Sequence, residues 1–355
     1  MTFLSELRRL GARVLAPVAL AAALLAACGG GTSQVEKFHP TRLIVLGDES
    51  SMIEDFIDGE GKHDGFKYTV NDRSSAASGK CLALPIAAQS VAALYGFAFP
   101  QCNPNVITPQ AFTLAARGAT VGSVTSGLAA QLQNLTTVTQ GNDLGAADMV
   151  MLLIGSNDII ELYERTLTGL SPADAVAEAQ RRGGLAANVV NDAILATGAR
   201  ALVITVPDLG LSPYAANANQ TNPGASSLLS SLTYGYNAYL RTRIDASRYD
   251  GRNYGLVLAD DIVAAMAKLP ASFLSAPAVA SVAACAIAAG LSADDVASQV
   301  LMCNTTATLS SSTEVKLVDG ATSGSHLWAS DRHLGPSAQS RIGAQAQSRA
   351  GTNPF

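Results

Sequence analysis

The chain alternates between short runs of consecutive apolar residues and longer segments whose apolar residues recur at helical spacing. The apolar runs predict four strands, at Leu43–Leu46, Met149–Ile154, Ala201–Val206 and Gly255–Ala259. Consecutive rather than alternating apolar residues are typical of strands covered on both faces. The longer segments predict helices at Pro172–Thr197, Ala225–Ile244 and Ser337–Arg349. Strands that alternate with helices indicate an α/β fold, a three-layer α/β/α sandwich around a parallel sheet.

The domain organisation follows from the absence of internal boundaries. No repeat or proline-rich linker interrupts residues 41–349, so we predict one domain there. A segment rich in alanine and serine, about residues 271–319, predicts an insertion packed on one side of that domain. Acidic residues among glycines in residues 54–72 indicate a solvated loop, because a calcium loop would need stricter spacing.

The N-terminus has the pattern of a targeting segment. Three arginines precede the apolar run Val14–Ala27, which has the length and charge asymmetry of a signal peptide. The run ends in Leu-Ala-Ala-Cys28, which resembles a bacterial lipobox. The resemblance implies a signal peptide over residues 1–27, a lipid on Cys28, and a flexible tether over 28–40. Because Gly29 rather than Asp follows the cysteine, the outer membrane is the expected destination. An ordinary secretory signal with an incidental cysteine is the alternative.

The charge and the cysteine content of the chain limit the expected binding partners and the expected cellular compartment. The net charge is −5 and no basic patch follows the first residues, which argues against nucleic acid as a partner. Four cysteines remain after Cys28, and they allow three pairings. We predict the pairings that close short loops, each worth about 3 kcal/mol in the chain-entropy model. These are Cys81–Cys102 and Cys285–Cys303. No cysteine or histidine spacing supports a metal site instead.

Polar residues follow the predicted strands, where functional groups collect in open parallel sheets. The first strand is followed by GDESS (47–51), the second by GSND (155–158) and the third by PDLG (207–210). The block RGA (117–119) lies between the first two strands, and SDRH (330–333) lies near the C-terminus. No Gly-x-Ser-x-Gly elbow and no phosphate-binding glycine loop occur, which argues against α/β-hydrolases and nucleotide enzymes.

A serine in such a block becomes a nucleophile only if a base takes its proton, and histidine suits that role near neutral pH. Beyond the signal the histidines are His39, His63, His326 and His333. The first lies in the tether and the second in the acidic loop. His333 has Asp331 two positions before it and precedes a helix, so we predict it as the base and His326 as a structural residue or a rim contact.

The order of these blocks resembles the GDSL, or SGNH, hydrolases over most of residues 41–349. The resemblance implies a flavodoxin-like sandwich and hydrolysis of a small-molecule, lipid or acylated ester without a metal or other cofactor. It implies Ser50 as nucleophile, His333 as base and Asp331 as the acid that orients His333. It also implies an oxyanion hole made by the Ser50 amide, the Gly118 amide and the Asn157 side chain. The expected protein is a serine esterase or lipase held to the membrane by its lipid.

Two positions depart from the family pattern. Glu49, not serine, directly follows Gly-Asp, and Ser330 stands where the family carries its aspartate. The hydroxyl could therefore come from Ser50 or Ser51, or acyl chemistry could be lost, and Ser50 could simply cap a helix. The alternative function is a non-catalytic envelope lipoprotein that binds a glycan, a lipid or a protein.

Overall fold

The computed structural model of this chain describes residues 37–55, 64–74, 81–103, 105–139, 141–248, 251–288, 290–311 and 313–352. The strands are β1 (Arg42–Gly47), β2 (Ile53–Glu54), β3 (Phe66–Lys67), β4 (Ala111–Thr113), β5 (Asp148–Leu153), β6 (Arg200–Ile204), β7 (Tyr254–Val257), β8 (Val279–Ala283) and β9 (His326–Trp328). The helices are α1 (Ala87–Leu94), α2 (Leu128–Gln133), α3 (Leu135–Val138), α4 (Ser156–Thr166), α5 (Pro172–Val189), α6 (Pro213–Thr221), α7 (Ala225–Arg243), α8 (Ala259–Lys268), α9 (Ala293–Met302) and α10 (Pro336–Thr352).

A five-stranded parallel sheet forms the centre, in the order β4-β1-β5-β6-β7. Every residue of β5 is buried, as consecutive apolar residues in a strand covered on both faces require. Helix α5 packs against α7, and α10 packs against α1. The prediction of a three-layer α/β/α sandwich is confirmed. Because all five strands run in the same direction, their carboxyl ends lie along one edge of the sheet.

The observed boundaries differ from the predicted ones where local geometry competes with the hydrophobic pattern. Ala259 begins α8 instead of ending β7. The α-helical part of α5 ends at Val189, and the chain continues through a wider turn at Val190–Ile194. It stops at Gly198, whose φ of +85° lies in the left-handed region that glycine adopts readily. The short edge strand β4 has too few residues to show a pattern.

The segment predicted as an insertion contributes β8 and α9. Its residues Val300 and Val315 join Tyr68, from outside the segment, in a second hydrophobic cluster that is separate from the main core. Cys285 and Cys303 are disulfide-bonded inside this cluster, with Cα atoms 5.9 Å apart. Cys81 and Cys102 form the other disulfide, with Cα atoms 5.1 Å apart. Both predicted disulfide pairings are therefore confirmed.

The described residues contain no helix that is both long enough and apolar enough to span a membrane. The predicted signal peptide, the lipidation site Cys28 and most of the predicted tether lie outside the described residues. The residues from Phe38 to the end of α10 belong to one compact unit.

Candidate functional site

The site begins at the carboxyl end of β1, where the chain leaves the sheet at Gly47. A side chain here is excluded, because a Cβ atom would lie 1.9 Å from the Leu153 carbonyl oxygen of the neighbouring strand, and φ is +145°. The amide side chain of Gln131 accepts a hydrogen bond from the Gly47 N–H and donates to the Gly47 carbonyl, each at 2.8 Å. The strand end is therefore held at one position against β5 and α2.

The next residues, Glu49–Ser51, form one short helical turn capped by Asp48. The Asp48 carboxyl accepts a hydrogen bond from the Ser50 N–H at 3.0 Å. Ser51 is buried, and its hydroxyl has no hydrogen-bond partner. Asp48 caps this turn, and the carboxylate of its first residue, Glu49, lies beside the imidazole of His333.

Both oxygens of the Glu49 carboxylate are bound by groups that the sequence analysis had assigned to catalysis. Oε1 lies 3.4 Å from Nε2 of His333. Oε2 accepts hydrogen bonds from the Gly118 N–H at 3.0 Å and from the Asn157 side-chain amide at 2.9 Å. Only 5% of Glu49 is exposed to solvent. A buried carboxylate therefore occupies the place beside His333, Gly118 and Asn157 where the sequence predicts a serine hydroxyl.

The pKa values of the two adjacent carboxyl groups, Asp48 and Glu49, are shifted in opposite directions. Burial opposes ionisation of Glu49, but the hydrogen bonds and charge of His333, together with Asn157, outweigh it and hold the Glu49 pKa well below its usual range. Burial and the neighbouring Glu49 charge raise the pKa of Asp48 to about 7. Since two neighbouring buried carboxylates cannot ionise equally, Glu49 carries the charge and Asp48 is the group that takes up a proton.

His333 is 3% exposed and is held from its other side by Ser330. The Ser330 hydroxyl lies 2.7 Å from Nδ1 of His333. Asp331 forms its ion pair with Arg332 and lies 3.4 Å from the Ser330 hydroxyl. The hydrogen bond that lowers the Glu49 pKa is donated to Oε1 by the Nε2–H of His333. Once Glu49 loses its charge, the ring proton can instead lie on Nδ1, facing the Ser330 hydroxyl, and Nε2 then presents a lone pair.

The two donors to Oε2 come from separate elements that are tied together by Asp158. Asn157 lies in the first turn of α4, and Gly118 lies in the loop after β4. The Asp158 carboxylate accepts a hydrogen bond from the Val121 N–H at 3.0 Å and one from Arg182 at 3.1 Å. Burial raises the pKa of Asp158 to about 6. Asp158 thus fixes the glycine loop next to the asparagine.

The structure brings some predicted site residues together and places others elsewhere. Gly118, Asn157 and His333 converge, but they converge on Glu49. Among the described residues no hydrogen bond joins Ser50 to His333, and the Ser50 N–H donates to Asp48, which caps the turn. The Ser50 amide is therefore engaged away from any oxyanion pocket. Asp331 does not contact His333 either, because Arg332 holds it and Ser330 occupies the position beside Nδ1.

Glu49 and Ser330 contact His333 in the candidate site, and the sequence analysis gave them no catalytic role. The signal for both was present, because each occupies the position where the family pattern carries its serine or aspartate. His326 lies apart from the site, with its Nδ1 2.7 Å from the Ser325 hydroxyl. Among the described residues no group of three or more His, Cys, Asp or Glu side chains is arranged to hold a metal ion.

Comparison with known proteins leaves the family undetermined. A scan against protein-family models finds no match to this chain, and a search of curated proteins finds none either. What the site can do must therefore be argued from its chemistry. It pairs an ionised carboxylate with an imidazole, and two N–H donors face one oxygen of that carboxylate.

Proposed function

We propose that this chain is a hydrolase whose reacting groups are Glu49 and His333, in a site laid out like that of SGNH hydrolases but with a carboxylate in place of the serine. One observation carries the proposal: the Glu49 carboxylate has one oxygen beside Nε2 of His333 and the other on the Gly118 and Asn157 donors. A surface ion pair would need none of these donors. Their convergence on a single buried group is typical of reactive sites.

The serine esterase with Ser50 as nucleophile has weaker support. A serine hydroxyl needs a base within hydrogen-bond reach, or one water away. No hydrogen bond joins the Ser50 hydroxyl to His333 among the described residues, and the Glu49 carboxylate occupies the position beside Nε2 of the imidazole. The donors that would stabilise an ester oxyanion are bound to Glu49.

The test is hydrolysis by the full-length protein of a panel of small esters, thioesters and alkyl halides. Glu49→Gln and His333→Gln should each abolish the activity that wild type shows, and Ser50→Ala should retain it. Ser50→Ala is the matched control, because it removes a hydroxyl one residue away and leaves the Glu49 contacts in place. The opposite pattern, with Ser50→Ala inactive and Glu49→Gln active, would establish the serine esterase instead.

A non-catalytic binding protein is the second candidate. The observation that favours it is that Glu49 already satisfies both donors, so the pocket has no unfilled oxyanion site. This function predicts no turnover of any member of the panel by wild type. It also predicts that Glu49→Gln leaves binding of the natural glycan, lipid or protein ligand intact.

We also propose export and lipid anchoring at Cys28. The sequence of the first residues supports it, and so do the two disulfides, which persist in oxidising compartments. Labelled palmitate should be incorporated into the wild-type protein expressed in a bacterial host and not into Cys28→Ala. Incorporation into both proteins would contradict anchoring at this residue.

A further inference from the structure

Building on the proposed function, we infer that Glu49 is a covalent nucleophile. Its substrates are uncharged electrophiles that react at a saturated carbon and release a stable anion, as primary alkyl halides do. Carboxylic esters are not the expected substrates. The inference depends on the proposed Glu49–His333 hydrolase and adds the bond that Glu49 forms and the class of molecule it attacks.

The positions of the Gly118 and Asn157 donors favour alkyl halides over carboxylic esters as substrates. When an ester is attacked, negative charge develops on the carbonyl oxygen of the substrate, and loss of one donor to that oxygen typically costs about 10²–10³-fold in rate. Here the Gly118 N–H and the Asn157 amide are bound to Oε2 of Glu49. A substrate carbonyl would find these donors occupied. Attack at a saturated carbon creates no oxyanion on the substrate, so it needs no free donor.

The first step uses the other oxygen of Glu49. Oε1 attacks the saturated carbon of the substrate, a carbon–oxygen bond forms, and the carbon–halogen bond breaks with its electron pair leaving on the halide. The product on the protein is an alkyl ester of Glu49, in which Oε2 is the carbonyl oxygen. The anionic form of Glu49 required for this attack is the form that His333 and Asn157 favour in the folded protein.

In the second step the Gly118 N–H and the Asn157 amide stabilise the developing charge without changing position. Nε2 of His333, 3.4 Å from Oε1, takes a proton from a water molecule as its oxygen attacks the Glu49 carboxyl carbon. Negative charge then develops on Oε2, which the Gly118 N–H and the Asn157 amide face. Collapse breaks the bond from that carbon to Oε1, and the departing alkoxide takes the proton from His333. Glu49 releases its own proton to solvent. The sum is alkyl halide plus water giving alcohol, halide and a proton.

The Glu49 carboxylate reaches the surface only through its surroundings. Glu49 itself is 5% exposed, whereas of its two donors Gly118 is exposed and Asn157 is half-buried.

The experiment is a single turnover of full-length protein, in excess over substrate, in water labelled with oxygen-18. The probes are primary alkyl bromides from bromoethane to bromo-octane. In the first turnover the alcohol should carry unlabelled oxygen from Glu49, and the label should appear in the peptide that contains Glu49. His333→Gln should accumulate a mass increase of one alkyl group on that peptide. Ser50→Ala should show the same label transfer as wild type.

The outcomes distinguish this inference from the proposed function. Glu49-dependent hydrolysis with labelled oxygen in the first alcohol formed would overturn the covalent step and leave the hydrolase standing. Glu49-dependent hydrolysis of esters without an alkyl adduct from any bromide would also overturn it. Absence of hydrolysis of every compound, with circular dichroism showing folded protein, would sink both proposals.

Discussion

Two buried histidines in this protein have the same contact at one ring nitrogen and different contacts at the other. His326 and His333 are 4% and 3% exposed, and each has its Nδ1 2.7 Å from the hydroxyl of a serine close by in sequence, Ser325 or Ser330. Of the two, in the part of the chain that the structure describes, only His333 has a carboxylate at its other nitrogen, and one oxygen of that carboxylate accepts from two N–H donors. A serine–histidine pair is thus a local feature, and what distinguishes the candidate site is the carboxylate of Glu49, which follows the end of β1.

The largest expected difference between the two histidines is in catalysis. His333→Gln should lower kcat of the Glu49-dependent hydrolysis by about 10³-fold, within the range for loss of a general base. His326→Gln should leave kcat within a few-fold of wild type and lower the free energy of unfolding by about 1–2 kcal/mol through its bond to Ser325. Steady-state kinetics and urea unfolding of both variants measure this. Equal losses of kcat would remove the distinction between the two sites.

The second expected effect comes from replacing the carboxylate that distinguishes His333. Glu49→Ser places a hydroxyl at the start of the capped turn and frees the Gly118 and Asn157 donors. Combined with Ser330→Asp, it should raise hydrolysis of p-nitrophenyl butyrate about 10²-fold above wild type. Glu49→Ala with Ser330→Asp frees the same donors without a nucleophile and is the matched control. An equal rise in the control would show that the new hydroxyl does not attack.

The two serines provide the next comparison. Ser330→Ala removes the hydroxyl at Nδ1 of His333 and should lower kcat about 10-fold by loosening the imidazole. Ser325→Ala makes the same change beside His326 and should leave kcat unchanged. Ser330→Thr keeps the hydroxyl and should restore most of the loss. An unchanged kcat in Ser330→Ala would mean that packing alone orients His333.

The smallest expected effect is on the pH dependence of the free energy of unfolding. It arises from Asp48, which caps the turn that carries Glu49. Its pKa is raised to about 7 in the folded protein by burial and the Glu49 charge, so the folded state binds more protons than the unfolded state below that pH. The stability it contributes is complete in acid and is lost as pH rises through about 7. Wild type should therefore lose about 2 kcal/mol more than Asp48→Asn between about pH 5.5 and about pH 8.5. Urea unfolding at both pH values measures this, and parallel losses in the two proteins would contradict it.

The fold was predictable because strand and helix patterns are local. The consecutive apolar residues of β1 and β5 and the helical spacing in α7 each identify an element without knowledge of the others. The site was predictable only in part. His333, Gly118 and Asn157 were identified by the ends of the elements that carry them, and these three do converge. Ser50 and Asp331 were assigned from a family pattern that this chain departs from at Glu49 and Ser330.

By itself the sequence determined the α/β/α architecture, the polar blocks at the carboxyl ends of the strands, and the short loops that the two disulfides close. These depend on hydrophobic periodicity and on loop length, both of which are readable along the chain. Only the tertiary structure decided which side chain of the turn after β1 faces His333. That choice depends on the cap made by Asp48 and on donors from a distant loop and a distant helix, Gly118 and Asn157, which meet Glu49 only when the sheet has assembled. The physical reason is that a hydrogen bond between residues far apart in sequence leaves no periodic signal at either residue.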